Sequence, residues 1–194
     1  MSRATVVIVP GLRGDAPDHW QERYSARTER SVTVPFPPQQ DWHDLAARVD
    51  LLDRTVRDVE GPVIVVAHSA GALVTVHWAR QGSDAAGKVV GAVLATPPEF
   101  STDWPAPHPR PSELAEKGWA PIPRRRLPFP SVLAASSNDP LADLRVIRGL
   151  AEVWGSRLLE LGDVGHLNPA AGFGDWPRID ELVAELDAAA AVAR

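Results

Sequence analysis

The chain has 194 residues, a formal net charge of −5 at pH 7 and no cysteine. This length predicts a single domain, residues 1–194, that can bury its core without disulfides or metals. The lack of cysteine excludes a disulfide framework and a thiolate nucleophile. The net negative charge does not indicate a basic surface of the kind that binds nucleic acid or an anionic membrane. No apolar stretch approaches the roughly 18 residues of a membrane span, and the N-terminal apolar run is too short for a signal peptide. We therefore expect a cytoplasmic protein, a monomer or small homo-oligomer.

Short apolar runs alternate with helical patterns along the chain. Strands are predicted at residues 5–9, 31–36, 63–67, 88–95, 131–135 and 157–161. Helices are predicted at 41–59, with Asp41 as the N-cap, and at 70–80, 141–153 and 178–193. Uniformly apolar strands that alternate with helices are typical of a parallel sheet covered on both faces. The pattern predicts an α/β doubly wound fold with its ligand site at the carboxyl ends of the strands.

Residues 96–130 interrupt this alternation. The segment is rich in proline, contains Trp104 and Trp119, and has little periodicity outside 112–117. Long loops in compact domains are usually functional or disordered, and prolines restrict an unfolded chain. We expect an ordered excursion over the end of the sheet.

The stretch Ala67-His68-Ser69-Ala70-Gly71 joins an apolar strand to a helix. Ser69 could simply cap that helix, since serine is common at N-caps. Alternatively, it is a nucleophile on a sharp strand-to-helix turn, because the stretch matches the G-x-S-x-G elbow with alanine at its first position. Small flanking residues are what such a crowded turn requires.

A nucleophile elbow also requires an acid and then a histidine, each after a later strand. Asp139 follows the strand at 131–135 and His166 follows the strand at 157–161. The chain therefore has serine, acid and histidine in the required order. Asp163 competes for the role of the acid, but it lies in the same loop as His166 and only three residues before it. We favour Asp139, with Ser69 as nucleophile and His166 as general base.

An acyl-transfer site also needs donors for the oxyanion. One should be the backbone N–H of Ala70, directly after the nucleophile, and the N–H of Leu12 in the glycine-rich loop after the first strand is the second candidate. The G-x-x-G spacing at Gly11 and Gly14 differs from the G-x-G-x-x-G fingerprint of dinucleotide-binding proteins. No histidine or carboxylate pair has metal-ligand spacing on a shared helix face. We expect neither a cofactor nor a metal.

Four stretches carry a resemblance to a known family: PGLRGDAPDHWQ (10–21), AHSAGA (67–72), SSNDP (136–140), and GHLN with GFGDWP (165–168, 172–177). Together they resemble the small serine hydrolases related to retinoblastoma-binding protein nine. The resemblance implies a compact α/β-hydrolase fold, a Ser69-Asp139-His166 triad and a helix that begins at His19-Trp20. It also implies a small carboxylic ester or related acyl compound as substrate.

Further residues are candidates for substrate contacts. His68 precedes the nucleophile, and Trp104, Trp119 and Trp176 fall in segments near the carboxyl ends of the strands, where one or two of them could line an apolar acyl pocket.

Two other functions stay open. The chain could be a non-catalytic interaction module on a hydrolase scaffold, or an acyltransferase or perhydrolase that uses the same triad.

Overall fold

A six-stranded, fully parallel sheet forms the centre of the molecule. The computed structural model describes residues 3–13 and 16–192. The strands are β1 (Thr5–Val9), β2 (Ser31–Thr33), β3 (Val63–His68), β4 (Val89–Ala95), β5 (Ser131–Ala135) and β6 (Arg157–Glu160). Their order across the sheet is β2-β1-β3-β4-β5-β6.

Helices cover both faces of the sheet. They are α1 (Trp20–Arg27), α2 (Leu45–Asp58), α3 (Ala70–Arg80), α4 (Pro111–Glu116), α5 (Leu144–Trp154) and α6 (Arg178–Val192), with short 3-10 turns at Asp84–Lys88 and Pro169–Ala171. Alternate strand residues point to opposite faces. Val7 and Val9 pack in the apolar layer beneath α2, α3 and α5, whereas Val6 and Ile8 pack in the layer beneath α1 and α6. The predicted doubly wound α/β fold is confirmed.

The ends of several elements differ from the sequence prediction. Helix α2 begins at Leu45, because Asp44 is the N-cap and its carboxylate accepts from the N–H of Ala47 at 3.0 Å. Asp41, the predicted cap, instead accepts from the N–H of His43 in the preceding turn. Strand β2 stops at Thr33, shortly before Pro35, which has no N–H to donate.

The fifth helix also starts later than its pattern predicts, and the end of the last one is not tested. Helix α5 begins at Leu144, three residues later than predicted, because Asp143 caps it. The predicted end of the last helix, residue 193, lies outside the described residues, as does Gly14 of the glycine-rich loop.

The chain changes direction across the sheet between β1 and β3. It leaves β1 toward β2 on one side, and it leaves β3 toward β4 on the other. A crevice opens at the carboxyl ends of two neighbouring strands where the connections diverge in this way. The side-chain amide of Gln21, in α1, joins these two ends by donating to the carbonyls of Val9 (3.2 Å) and Val66 (3.1 Å).

The proline-rich segment 96–130 packs against the same apolar layer as α2 and α3. Leu114, Trp119, Leu127 and Phe129 are all buried. His77 of α3 is bonded through Nε2 to the carbonyl of Trp119 at 3.1 Å. These contacts fasten the segment beside the carboxyl ends of the central strands.

Candidate active site

Ser69 lies at the turn between β3 and α3, in a strained backbone conformation. Its φ of 55° and ψ of −127° are rare for a residue with a side chain. The turn is held because the N–H of Ser69 donates to the carbonyl of Ala95 at 2.9 Å. A Cβ at Gly71 would lie 2.2 Å from the carbonyl oxygen of Val9 and 2.6 Å from that of Pro10. The turn therefore has room only for glycine at residue 71.

The hydroxyl of Ser69 does not cap the helix that follows it. Ser69 occupies the N-cap position of α3, but its side chain makes no capping hydrogen bond. Its Oγ instead lies 2.7 Å from Nε2 of His166. Nδ1 of His166 lies 2.9 Å from both carboxylate oxygens of Asp139. A carboxylate accepts at Nδ1, so the neutral ring has its unprotonated nitrogen toward the serine.

The loops that carry the acid and the histidine are bonded to each other and to their own backbone. Oδ1 of Asp139 accepts from the N–H of Leu141 at 2.9 Å, and Oδ1 of Asn138 accepts from the N–H of Gly165 at 2.7 Å. Asp163, the alternative acid, is exposed and accepts from the hydroxyl of Ser137. The structure therefore places Asp139 beside the imidazole, and Asp163 away from it.

His68 lies beneath the histidine loop. Its Nε2 is 2.9 Å from the carbonyl oxygen of His166, so it carries the proton and donates. Burial lowers the pKa of His68 well below the ordinary value of 6.5, and the nearby His166 lowers it further because two protonated rings would repel each other. His68 is thus a neutral ring that holds the backbone of His166 from below.

The loop after β1 brings the N–H of Leu12 to the same edge of the sheet. Nη2 of the buried Arg48 donates to the carbonyls of Pro10 (2.7 Å) and Gly11 (2.9 Å). The C=O of Gly11 and the N–H of Leu12 belong to one peptide unit, and a trans peptide points these two groups in opposite directions. The bond from Arg48 therefore turns the N–H of Leu12 away from α2. Among the described residues, no hydrogen bond uses the N–H of Leu12 or of Ala70.

Arg48 is an unusual residue to find inside the molecule. It is 4% exposed, and its guanidinium lies over the rings of Phe36 (5.0 Å) and Trp119 (5.8 Å). Burial lowers its pKa to about 10, so it remains charged at neutral pH. The signal for Arg48 in the sequence is a charged residue inside the apolar face of α2, three residues after Leu45. The sequence predictions did not include it.

Two cavities meet at Ser69. The larger, with a volume of about 280 Å³, is lined by histidines, among them His19, His68 and His166, together with apolar prolines and alanines. The smaller, about 20 Å³, is lined mainly by apolar side chains, among them Trp104 and Trp119 from the segment 96–130. His68 and two of the predicted tryptophans thus line a cavity beside the serine.

Trp176 has a different position. It packs against Trp20 with ring centroids 4.9 Å apart, in the core layer beneath α1 and α6. It lines neither of the two cavities at Ser69. Nothing in its position supports the predicted contact with substrate.

Two structural features bear on metals and membranes. Within residues 3–13 and 16–192, no group of three or more histidine, aspartate or glutamate side chains is placed to hold a metal ion. None of the helices described here combines the length and the apolar character needed to cross a bilayer.

Sequence comparison gives the family. The model of a family described as serine hydrolase matches residues 6–185. The chain belongs to the serine hydrolase family. None of the curated proteins compared with it is similar in sequence.

Solved structures share the fold of this chain. A protein described as a YdeN-like hydrolase from Pectobacterium atrosepticum is 30% identical, with a TM-score of 0.81 over 97% of this chain and 92% of its own. The ydeN gene product of Bacillus subtilis is 16% identical, with a TM-score of 0.66 over 94% and 98%. The type II thioesterase BorB from the borrelidin biosynthetic cluster is 18% identical, with a TM-score of 0.65 over 96% and 93%. This serine hydrolase, with its parallel sheet between two layers of helices, has the α/β-hydrolase fold.

Proposed function

We propose that this serine hydrolase cleaves small carboxylic esters, or related acyl bonds, through an acyl-enzyme on Ser69. The observation that carries the proposal is the chain of short contacts from Ser69 through His166 to Asp139, with distances of 2.7 Å and 2.9 Å. We also propose that, within the family, the chain groups with the relatives of retinoblastoma-binding protein nine, on the four sequence stretches that resemble them.

The proposed mechanism has two halves. His166 takes the proton of Ser69 as Oγ attacks the acyl carbon, and it then gives this proton to the departing oxygen. Asp139 holds the imidazole in position and stabilises its protonated form. A water molecule then attacks the acyl-enzyme by the same route and releases the acid.

The oxyanion that forms in each half needs donors that are already in place. The N–H groups of Ala70 and Leu12 are our candidates, because both flank Ser69 and neither is used by another described residue. Such donors act on charge that develops only in the transition state, so they raise kcat more than they lower KM.

Hydrolysis of p-nitrophenyl acetate tests the proposal. Ser69→Ala should reduce kcat/KM by about 10⁴-fold or more, because the triad residues act as one unit, while the circular dichroism spectrum stays that of the native protein. Ser112→Ala, at an exposed serine of α4, is the matched control and should keep the native rate. Comparable turnover in Ser69→Ala and the native protein would contradict the proposal.

A further inference from the structure

The two cavities at Ser69 can be assigned to the two halves of an ester, the leaving group and the acyl group. The position of His166 decides which cavity takes which half. His166 gives its proton to the departing oxygen, so the leaving group must lie in the cavity that His166 lines. That is the larger cavity, of about 280 Å³, which histidines line together with apolar residues. The acyl group then lies on the other side of Ser69, toward the apolar cavity of about 20 Å³ beside Ala70 and Leu73. This assignment rests on the proposed function.

One histidine that lines the larger cavity has a ring nitrogen without a partner. His19 is 7% exposed and lines this cavity, and its Nε2 is buried with no hydrogen-bond partner among the described residues. The other ring nitrogen, Nδ1, accepts from the N–H of Gln21 at 3.2 Å and so caps α1. Since Nδ1 faces the start of the helix, Nε2 on the opposite edge of the ring faces away from it.

The hydrogen bond at Nδ1 also fixes which nitrogen carries the proton. Nδ1 accepts, so the proton of the neutral ring is on Nε2. Burial lowers the pKa of His19 to about 4, and repulsion between this ring and His166, were both protonated, adds to the lowering. At neutral pH the ring therefore presents one uncharged N–H donor. A buried donor without a partner is unfavourable, so a ligand that accepts a hydrogen bond from it binds more tightly.

We propose that Nε2–H of His19 binds an uncharged oxygen of the leaving group, such as an ether, hydroxyl or carbonyl oxygen. The substrate class is then an ester of a small acid with an oxygen-bearing alcohol. A site built to donate a hydrogen bond discriminates against the analogue that lacks the acceptor, because its own polar group is then left unpaired. A purely hydrocarbon alcohol of the same shape is consequently a poorer leaving group.

A pair of matched esters tests this directly. Cyclohexylmethyl acetate and the tetrahydropyranylmethyl acetates have nearly the same shape, but the latter carry a ring oxygen at position 2, 3 or 4. The native protein should cleave at least one oxygen isomer with a kcat/KM about tenfold above that of the cyclohexyl ester.

Two variants of His19 separate the donor from the helix cap. His19→Asn keeps a capping oxygen but removes the donor at Nε2, whereas His19→Phe keeps an aromatic ring and removes both. Each should cleave all the esters with nearly equal kcat/KM. The ratio is taken within one variant, so a general loss of activity cancels. His43→Asn, at a histidine that lines neither cavity, is the control and should keep the tenfold ratio.

The outcomes distinguish this inference from the function on which it rests. If the native protein cleaves all the esters equally, or if both His19 variants keep the ratio, His19 does not bind the leaving group, although ester hydrolysis stands. If Ser69→Ala cleaves the esters as fast as the native protein, the acyl-enzyme itself is refuted.

Discussion

At the scale of single residues, Arg48 is a buried side chain of the core that hydrogen-bonds to a loop of the candidate active site. Its guanidinium is buried and charged and has no carboxylate partner among the described residues, yet it donates to two successive carbonyls of the loop after β1. Burying an unpaired charge is costly. The rings of Phe36 and Trp119, over which the guanidinium lies, offset part of this cost. The net result is a loop whose Leu12 N–H is held in one direction.

Replacing Arg48 should therefore impair the reaction more than binding. In Arg48→Met the loop loses its anchor, so we expect kcat for p-nitrophenyl acetate to fall by up to about 10²-fold with little change in KM. Arg48→Lys keeps a charge and a donor and should recover part of kcat. Steady-state kinetics of the folded variants measures both effects.

The control for this prediction lies on the same helix. Arg54→Met removes an exposed arginine that pairs with Asp50 and should leave kcat unchanged. If Arg48→Met raised KM and kept kcat, Arg48 would not position an oxyanion donor.

The chain order Ser69, Asp139, His166 could be predicted from the sequence because each residue follows an apolar strand, and parallel strands end at one edge of a sheet. His19 and Arg48 could not be predicted in this way. Their contacts depend on the packing of α1 and α2 on the sheet, and short-range periodicity says nothing about which buried polar group will have a partner.

At the scale of elements, the start of α3 is set by how closely it approaches β1. Gly71 is the residue that permits this approach, since a Cβ there would overlap the carbonyls of Val9 and Pro10. The same carbonyl of Pro10 accepts from Arg48. The nucleophile turn and the loop that follows β1 are thus packed against each other.

A pair of glycine-to-alanine changes tests this packing. Gly71→Ala should lower the free energy of unfolding by about 3 kcal/mol or more, because the carbonyls must move. Gly149→Ala, in α5, meets no atom within 4 Å and should raise it by about 0.5–1 kcal/mol through helix propensity. Urea unfolding measures both changes. A Gly71→Ala variant as stable as the native protein would show that the turn tolerates a side chain.

Sequence patterns predicted the elements better than their ends. The strands and most helices follow from apolar periodicity, but Asp44 caps α2 three residues after the predicted cap, and α5 begins at Leu144, three residues after its predicted start. Several aspartates near a helix start are chemically equivalent as caps, so tertiary packing decides between them. The path of segment 96–130 could not be predicted, since its contacts are irregular and long-range.

At the scale of the whole molecule, the topology gathers neutral histidines at the carboxyl edge of the sheet. His19 and His68 come from different elements, and their ring centroids lie 4.5 Å apart. Burial is the first cause of the lowered pKa of each, and the repulsion that each protonated ring would meet from a protonated His166 is the second. In the unfolded chain both rings would regain an ordinary pKa near 6.5.

This arrangement makes the fold sensitive to acid. Below about pH 6.5 the unfolded chain binds protons that the folded protein does not, so the free energy of unfolding falls as the pH is lowered. The pKa of His19 is about 4 in the folded protein, so its contribution continues to fall until about that pH. His19 should account for about 2 kcal/mol of the loss between pH 7 and pH 5.

Urea unfolding of the native protein and of His19→Asn at both pH values measures this share. The decrease from pH 7 to pH 5 should be smaller in the variant by about 2 kcal/mol. An equal decrease in the two proteins would mean that His19 is not held neutral by the fold.

The central claim is that Ser69 is a nucleophile activated by His166 and Asp139. Labelling with a fluorophosphonate, followed by intact-mass and peptide mass spectrometry, tests it most directly, because the probe forms a stable bond only with an activated serine. We expect one adduct per chain, located on Ser69, and none within the same period in Ser69→Ala or His166→Ala. An unlabelled native protein, or an adduct on another residue, would contradict the account.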